Sequence, residues 1–428
     1  MKSIFRYSVC GLWFLCSSVT AFSQLAVNPQ KAGFSPKRLQ RIDTVINGYI
    51  SNGWINGAVA IVYRNGVPAY YKAFGYDDME KRKFIQLNQI FRMASMSKAI
   101  VSAGVMMLYE EGKFLLDDPI GKYLPAFQNQ KVIDLFNEKD TTYTTKAANR
   151  QVTIRDLLTH TAGIGYPQIG DKVANALYAK AGLHIGLNTY DPASLADKMK
   201  TLGSLPLLNQ PGEKWCYGLN TDLLGYLIEV ISGKTLAAFL EERLFRPLEM
   251  SDTYFYLPKE KQSRLATQYT EDSTGKLKPV YDYITFNGKF YVDFPLANST
   301  YYSGGGGLCS TAKDYAAFLQ MLLNKGVYKG YALLSASTVR LMTMNQTGNI
   351  ALGYNRFGLG FEIVTERGAA RGPLNEGSYS WAGAFNTTFW VDPKERLSAQ
   401  LLLQILPTTH GDIHDKFKVL VYQAIEEP

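Results

Sequence analysis

Segments with the composition of β-strands lie at both ends of this 428-residue chain, and its long middle part is mainly helical or irregular in pattern. Near the start, two such segments flank Asn65-Gly66, a pair that favours a two-residue hairpin turn. The predicted strand segments are 58–63, 68–74, 357–365, 387–391 and 399–406. Strands at both termini predict one antiparallel sheet flanked by helices, with a helical insertion, and therefore an α+β fold.

Helical signals complete this plan. Ser35-Pro36 opens an amphipathic helix that Gly53 ends, and a last helix is predicted over residues 412–426. We predict one domain over residues 24–428. Its α/β part comprises about 24–116 and 300–428, and its mainly helical part about 117–299.

The first 23 residues have the pattern of a secretory signal peptide. Lys2 and Arg6 precede a short apolar run, and Ala21-Phe22-Ser23 resembles a cleavage site. We expect export to the periplasm or the medium, without stable membrane insertion after cleavage. The net charge of +8 is spread evenly and accompanies no nucleic-acid motif, so no nucleic-acid partner is expected.

Removal of the signal peptide would leave Cys216 and Cys309 as the cysteines of the mature chain. An exported protein permits a disulfide between them. The sequence does not decide between a disulfide and two free thiols.

A serine followed three residues later by a lysine occurs at Ser95, Ser273 and Ser310. Ser273 lies in a polar stretch that predicts a turn. Ser310 precedes Thr311 and Asp314, which predict the capped start of a helix. Ser95 alone is followed by a long apolar helix, which would place Lys98 on the same face as the serine and leave the Ser95 amide free. A serine beside a lysine amine can act as a nucleophile.

Other catalytic patterns are absent from the sequence. It has no G-x-S-x-G elbow and no phosphate-binding Gly-rich loop followed by Gly-Lys-Ser/Thr. His410 and His414 share a spacing seen in helical metal sites, but further ligands are missing, and a surface helix start is the preferred interpretation. We therefore predict no metal and no organic cofactor.

Several segments together resemble the serine beta-lactamase and penicillin-binding-protein-like superfamily. They cover nearly the whole mature chain and comprise Ala94-Ser-Met-Ser-Lys98, Ile154–Gly163, Trp215–Gly225, the glycine run 304–307 with the residues up to Thr311, and Trp381-Ala-Gly-Ala384. The resemblance implies a beta-lactamase/transpeptidase-like fold. It also implies that Ser95 is the nucleophile, Lys98 its base and Tyr217 a proton relay, with the Ser95 and Ala384 amides as the oxyanion hole.

Two departures from the beta-lactamase pattern bear on the substrate. Leu219 stands where the tyrosine motif usually has asparagine, and Trp381 stands where the third motif usually has a cation. Both departures resemble family VIII carboxylesterases, whose third motif is W-x-G. Leu219, Trp381 and Gly383 are the residues that we expect to line the substrate.

The first expectation is therefore a serine hydrolase that cleaves a small-molecule ester, or an amide, through an acyl-enzyme. A beta-lactamase or DD-peptidase is the alternative, and it would need another cation in place of the one missing at Trp381. A third possibility is a non-catalytic module of penicillin-binding type.

Overall fold

The computed structural model describes residues 25–184, 186–187, 191–285 and 289–426. The predicted signal peptide lies outside the described residues. The helices are α1 Pro36–Ser51, α2 Ser97–Glu110, α3 Ile154–Leu158, α4 Lys172–Lys180, α5 Leu195–Gly203, α6 Asn220–Ser232, α7 Leu236–Leu240, α8 Ala312–Leu323, α9 Ala336–Met342, α10 Glu366–Ala369 and α11 Ile413–Tyr422.

The strands are β1 Gly57–Arg64, β2 Val67–Asp78, β3 Lys83–Phe84, β4 Phe91–Arg92, β5 Lys131–Phe136, β6 Tyr143–Ala147, β7 Gln268–Glu271, β8 Leu277–Val280, β9 Tyr283–Thr285, β10 Lys289–Tyr291, β11 Cys309–Ser310, β12 Val327–Tyr328, β13 Tyr331–Ala332, β14 Arg356–Phe357, β15 Glu362–Ile363, β16 Tyr379–Gly383, β17 Thr387–Asp392 and β18 Leu397–Leu402.

The main sheet is built from both termini, which confirms the predicted fold class. Its strand order is β14-β15-β16-β17-β18-β1-β2-β3, and β1 pairs antiparallel with β18 so that Val59 faces Leu402. The hairpin turn between β1 and β2 is also confirmed, because Asn65 and Gly66 both have positive φ angles, 55° and 74°.

The sheet separates two hydrophobic cores. Along β1, Val59 and Ile61 pack into the larger core, whereas Ala60 and Val62 pack into the smaller one, because successive strand residues point to opposite faces. The smaller core is closed by the apolar faces of α1 and α11. The larger core surrounds α2, in which every residue from Ser97 to Leu108 is buried. The apolar helix after Ser95 is therefore the central helix of the molecule.

Two details differ from the predictions. The segment 357–365 is not one strand but β14 and β15, because the chain turns between them at Gly358 and at Gly360, whose φ angle is 95°. The middle part of the chain also contains the hairpins β5–β6, β7–β8 and β9–β10, which its irregular pattern had concealed.

Within the described residues, no single helix is long and apolar enough to cross a membrane. The helical segments Asn220–Ser232 and Leu236–Phe245 pass the same test only as a pair bent by 78°.

Candidate active site

Ser95 lies on a constrained turn between β4 and α2. The preceding residue, Ala94, has a φ angle of 45°, a left-handed conformation that costs a non-glycine residue about 1–3 kcal/mol. The turn is held by the Met93 amide, which donates to the Leu308 carbonyl at 2.9 Å. The Ser97 hydroxyl accepts from the Leu308 amide at 3.0 Å. These contacts leave Ser95 half-buried at the entrance to a helix that is buried from Ser97 to Leu108.

Strand β4, which leads to this turn, is anchored by a buried arginine. The Arg92 guanidinium donates to the carbonyl oxygens of Val292 at 2.5 Å and Ala266 at 2.7 Å, and to Gln404 Oε1 at 3.2 Å. Gln404 Nε2 donates in return to the Arg92 carbonyl at 3.1 Å. Burial lowers the pKa of Arg92 to about 10. The chain entering the nucleophile turn is thus tied to three distant segments.

Lys98 is 1% exposed and faces the serine. Its Nζ lies 3.3 Å from Ser95 Oγ, 2.8 Å from Tyr166 Oη and 2.6 Å from the Gly305 carbonyl oxygen. The three-residue spacing along a helical path places the two side chains together, as the sequence predicts. An amine this close to a hydroxyl is within reach of its proton.

Two tyrosine rings enclose the Lys98 amine. The centroid of the Tyr217 ring lies 4.6 Å from Nζ and that of the Tyr166 ring 5.3 Å from it. Tyr217 is half-buried, and its hydroxyl has no hydrogen-bond partner within the described part of the chain. Tyr166 is buried and bonded to the amine. Burial raises the pKa of Tyr166 well above 10, and the nearby Tyr217 and Asp222 add to the shift.

Tyr166 was not predicted from the sequence. It follows the Ile154–Gly163 segment by three residues, and its only signal is that proximity. Its high pKa keeps it a neutral phenol at ordinary pH, so its hydroxyl can hold the Lys98 amine but does not serve as a base.

Trp381 belongs to an aromatic wall. It lies in β16, and its ring contacts those of Phe357 at 5.3 Å, Tyr217 at 5.6 Å and Trp215 at 6.4 Å between centroids. Trp215 and Tyr217 are stacked 5.4 Å apart with an interplanar angle of 10°. Position 381 therefore presents an uncharged ring where the resemblance would place a cation.

The end of β16 approaches the nucleophile turn closely. A Cβ on Gly383 would overlap the Met93 carbonyl oxygen and Thr387 Oγ1, so only glycine fits there. Ala384 follows and is exposed. Outside the regular helices and strands, the described residues include no backbone hydrogen bond donated by the Ser95 or Ala384 amide. Both amides are thus available to an oxyanion.

Leu219 and Asn220, within the tyrosine motif, are structural. Leu219 has no exposed surface and packs in the larger core, so it does not line the substrate as predicted. Asn220 is also buried, with its Nδ2 2.9 Å from His160 Nδ1. His160 is 1% exposed, and burial lowers its pKa well below 6.5. His160 is thus a buried, hydrogen-bonded residue.

Cys216 and Cys309 are both free thiols. Burial raises their pKa values to about 11 and about 12, which makes both thiols unreactive at neutral pH. His414 lies in the first turn of α11, which confirms the predicted helix start, and its side chain also contacts the turn after Ala384. Its Nε2 lies 2.7 Å from Asn386 Oδ1, and burial lowers its pKa to about 4.

Comparison with known proteins accounts for this arrangement. The family model described as Beta-lactamase matches residues 42–423. The chain belongs to the Beta-lactamase family. An uncharacterised protein of Mycobacterium tuberculosis is 32% identical to this chain, and the match covers 84% of this chain and 88% of that protein. Esterase EstB of Burkholderia gladioli is 28% identical over 85% of this chain and 89% of its own.

A solved structure, EstCE1, described as a hydrolase with promiscuous acyltransferase activity, superimposes with a TM-score of 0.77. It is 26% identical and covers 90% of this chain and 99% of its own. The protein is thus a serine hydrolase of the Beta-lactamase family with a beta-lactamase/transpeptidase-like fold.

Proposed function

We propose that this protein cleaves uncharged carboxylic esters through an acyl-enzyme formed on Ser95. The observation that carries the proposal is the combination of a buried Lys98 beside Ser95 with an aromatic wall at Trp381. The first supplies a base for acyl transfer, and the second supplies no charge for a substrate carboxylate. The names of EstB and EstCE1 point to the same chemistry.

In the proposed first half-reaction, Ser95 Oγ attacks the ester carbonyl carbon while its proton passes to the neutral Lys98 amine. The oxygen that becomes negative accepts hydrogen bonds from the Ser95 and Ala384 amides. The bond to the alcohol oxygen then breaks, and that oxygen takes a proton relayed through the Tyr217 hydroxyl. An alcohol leaves, and the acyl group stays on Ser95.

In the second half-reaction, water gives a proton to the same relay and attacks the acyl carbon, which releases a carboxylic acid and restores Ser95. Tyr166 and Tyr217 have different roles in this mechanism. Tyr166, buried and bonded to Lys98, holds the amine in place. Tyr217, half-buried and with its hydroxyl free, is the one able to meet the leaving group.

The test is hydrolysis of p-nitrophenyl acetate and butyrate beside nitrocefin. The form to assay begins at Gln24, since we propose that residues 1–23 are removed on export. We expect ester turnover and little nitrocefin cleavage in the wild type, and loss of the ester turnover in Ser95→Ala. Ser310→Ala is the matched control, because Ser310 also precedes a lysine by three residues but bonds to Thr253 at 2.7 Å in the core.

Each outcome has a clear meaning. Equal loss in Ser95→Ala and Ser310→Ala would show that Ser95 is not the nucleophile. Fast nitrocefin cleavage would favour a beta-lactamase. Failure of the folded wild type to react with a fluorophosphonate or any ester would favour a non-catalytic module.

A further inference from the structure

A fully buried carboxylate lies behind the Lys98 amine, and the mechanism above does not use it. Asp222, in the first turn of α6, has no exposed surface. Its Oδ1 accepts a hydrogen bond from Ser303 Oγ at 2.8 Å. Its Oδ2 is buried and has no partner of good hydrogen-bond geometry within the described residues. Burial of a carboxylate is costly unless another group compensates its charge, which directs attention to the groups around Asp222.

The carboxylate is adjacent to the glycine run that binds Lys98. A Cβ on Gly305 would overlap Asp222 Oδ2 on one side and lie 3.0 Å from Tyr166 Oη on the other. The Gly305 amide is directed at the carboxylate, while the Gly305 carbonyl accepts from Lys98 at 2.6 Å. One peptide segment therefore connects Asp222 to the amine.

Asp222 and Lys98 also interact through their charges. Burial raises the pKa of Asp222 to about 6, and the Ser303 hydroxyl, the Lys98 charge and the Gly305 amide oppose that rise. The other titratable groups facing the carboxylate are Tyr166 and Tyr301, and burial raises the pKa of each well above 10, so both stay neutral. Among the described residues, Lys98 is thus the basic side chain that acts on this carboxylate.

We infer that Asp222 is a positioning residue for the Ser95–Lys98 pair. Its carboxylate orients the Gly305 segment, and its negative charge stabilises the ammonium that Lys98 becomes when it takes the Ser95 proton. No atom of Asp222 exchanges a proton with the substrate in this role. The inference rests on the proposed function, because it assumes that Lys98 receives that proton.

The test compares Asp222→Asn with Asp314→Asn. Asp314 is a second buried carboxylate whose pKa burial raises to about 6, but it bonds to the Asp252 amide at 2.7 Å, away from Lys98. Asparagine keeps the shape of each side chain and removes the charge. The readouts are the rate of Ser95 labelling by a fluorophosphonate from pH 5 to 9, kcat/KM for p-nitrophenyl butyrate over the same range, and unfolding in urea.

We expect Ser95 in Asp222→Asn to be labelled at least about tenfold more slowly at neutral pH. The ester kcat/KM should fall through a lower kcat and not through a higher KM. The acid limb of the wild-type profile should lie near pH 6, where burial places the pKa of Asp222, and it should move to lower pH in Asp222→Asn, which cannot take up that proton. Asp314→Asn should keep the wild-type profile. A purely structural role for Asp222 would change the unfolding midpoint in urea without moving the limb.

Ser303→Ala provides a second variant if Asp222→Asn folds poorly. It removes the bond to Oδ1 that holds the pKa of Asp222 down, so we expect slower labelling and an acid limb moved to higher pH. Wild-type rate and profile in a folded Asp222→Asn would overturn the inference while leaving the proposed function intact. A wild type that neither labels nor hydrolyses esters would overturn both.

Discussion

Gly305 and Gly306 are adjacent glycines for which the structure predicts opposite responses to the same substitution. Neither has a positive φ angle, so alanine is compatible with both backbones. At Gly306 the nearest atoms to an added Cβ are 3.9 Å away, on Ala94 and Leu187, which is ordinary contact. At Gly305 the added Cβ would overlap Asp222 Oδ2 and lie 3.0 Å from Tyr166 Oη.

The size of the effect follows from these distances. Because the Asp222 oxygen is rigidly buried, relief of the overlap requires the Gly305 segment to shift by roughly 1 Å. The Gly305 carbonyl binds Lys98 at 2.6 Å, so the amine would move with it relative to Ser95. A displacement of that size at a reacting group costs on the order of 100-fold in rate. We expect Gly305→Ala to lose about that factor in kcat/KM and Gly306→Ala to stay within a few fold.

The assay is p-nitrophenyl butyrate hydrolysis together with the rate of fluorophosphonate labelling, which reports on the nucleophile without substrate binding. Thermal unfolding of both variants shows whether each is folded at the assay temperature. If folded Gly305→Ala labels as fast as Gly306→Ala, then the Gly305 carbonyl does not position Lys98, and the reasoning is refuted.

Three further predictions concern charge. The pKa of Asp314 is about two pH units above its usual 3.8, at about 1.4 kcal/mol per unit. The folded state therefore binds this proton more tightly than the unfolded state. As the pH rises from 4 through 6, ionisation of Asp314 lowers the free energy of unfolding of the wild type by about 3 kcal/mol. In urea unfolding, the free energy of unfolding of Asp314→Asn minus that of the wild type should increase by about that amount between pH 4 and 7. A difference that does not change with pH would show that the pKa of Asp314 is not raised. Arg92→Leu should lower the free energy of unfolding by about 3 kcal/mol or more at pH 7, because buried carbonyl groups lose their donor; a loss below about 1 kcal/mol would show that Arg92 is not a structural anchor. Trp381→Lys should raise the ratio of nitrocefin to ester cleavage about tenfold by supplying a cation for the carboxylate; an unchanged ratio in the folded variant would show that this position does not face the substrate.

The fold was predictable where local signals were strong. The strand-like runs of β1 and β2 and the Asn65-Gly66 turn define a hairpin without reference to the rest of the chain. The capped start of α8 was predictable for the same reason, and Thr311 Oγ1 accepts from the Asp314 amide at 3.1 Å. The hairpins of the middle region carry exposed, mixed residues; all five residues of β6 are exposed, so no alternation marks it.

Parts of the site depend on contacts that no local pattern shows. Ser95 and Lys98 are three residues apart, and helical geometry alone brings them together. Tyr166 and Gly305 reach the same amine from 68 and 207 residues away along the chain, through the packing of α2 in the core. Leu219 was misjudged because its position next to a motif tyrosine did not reveal that it packs inward.

The surroundings of Lys98 suggest why one scaffold can favour esters. The amine is held by one hydroxyl, one carbonyl and two aromatic rings, so the nucleophile and its base are organised without any group at position 381. Acyl transfer and recognition of a substrate carboxylate are therefore carried by separate parts of the site. We therefore expect that a tryptophan in place of the recognition cation changes which substrates are bound without a change in the Ser95–Lys98 geometry. It also adds a ring that packs on Tyr217, the proposed proton relay, with centroids 5.6 Å apart. Because one ring both replaces the charge and restrains the relay, a cation at position 381 should improve binding of anionic substrates while loosening Tyr217 and slowing ester turnover.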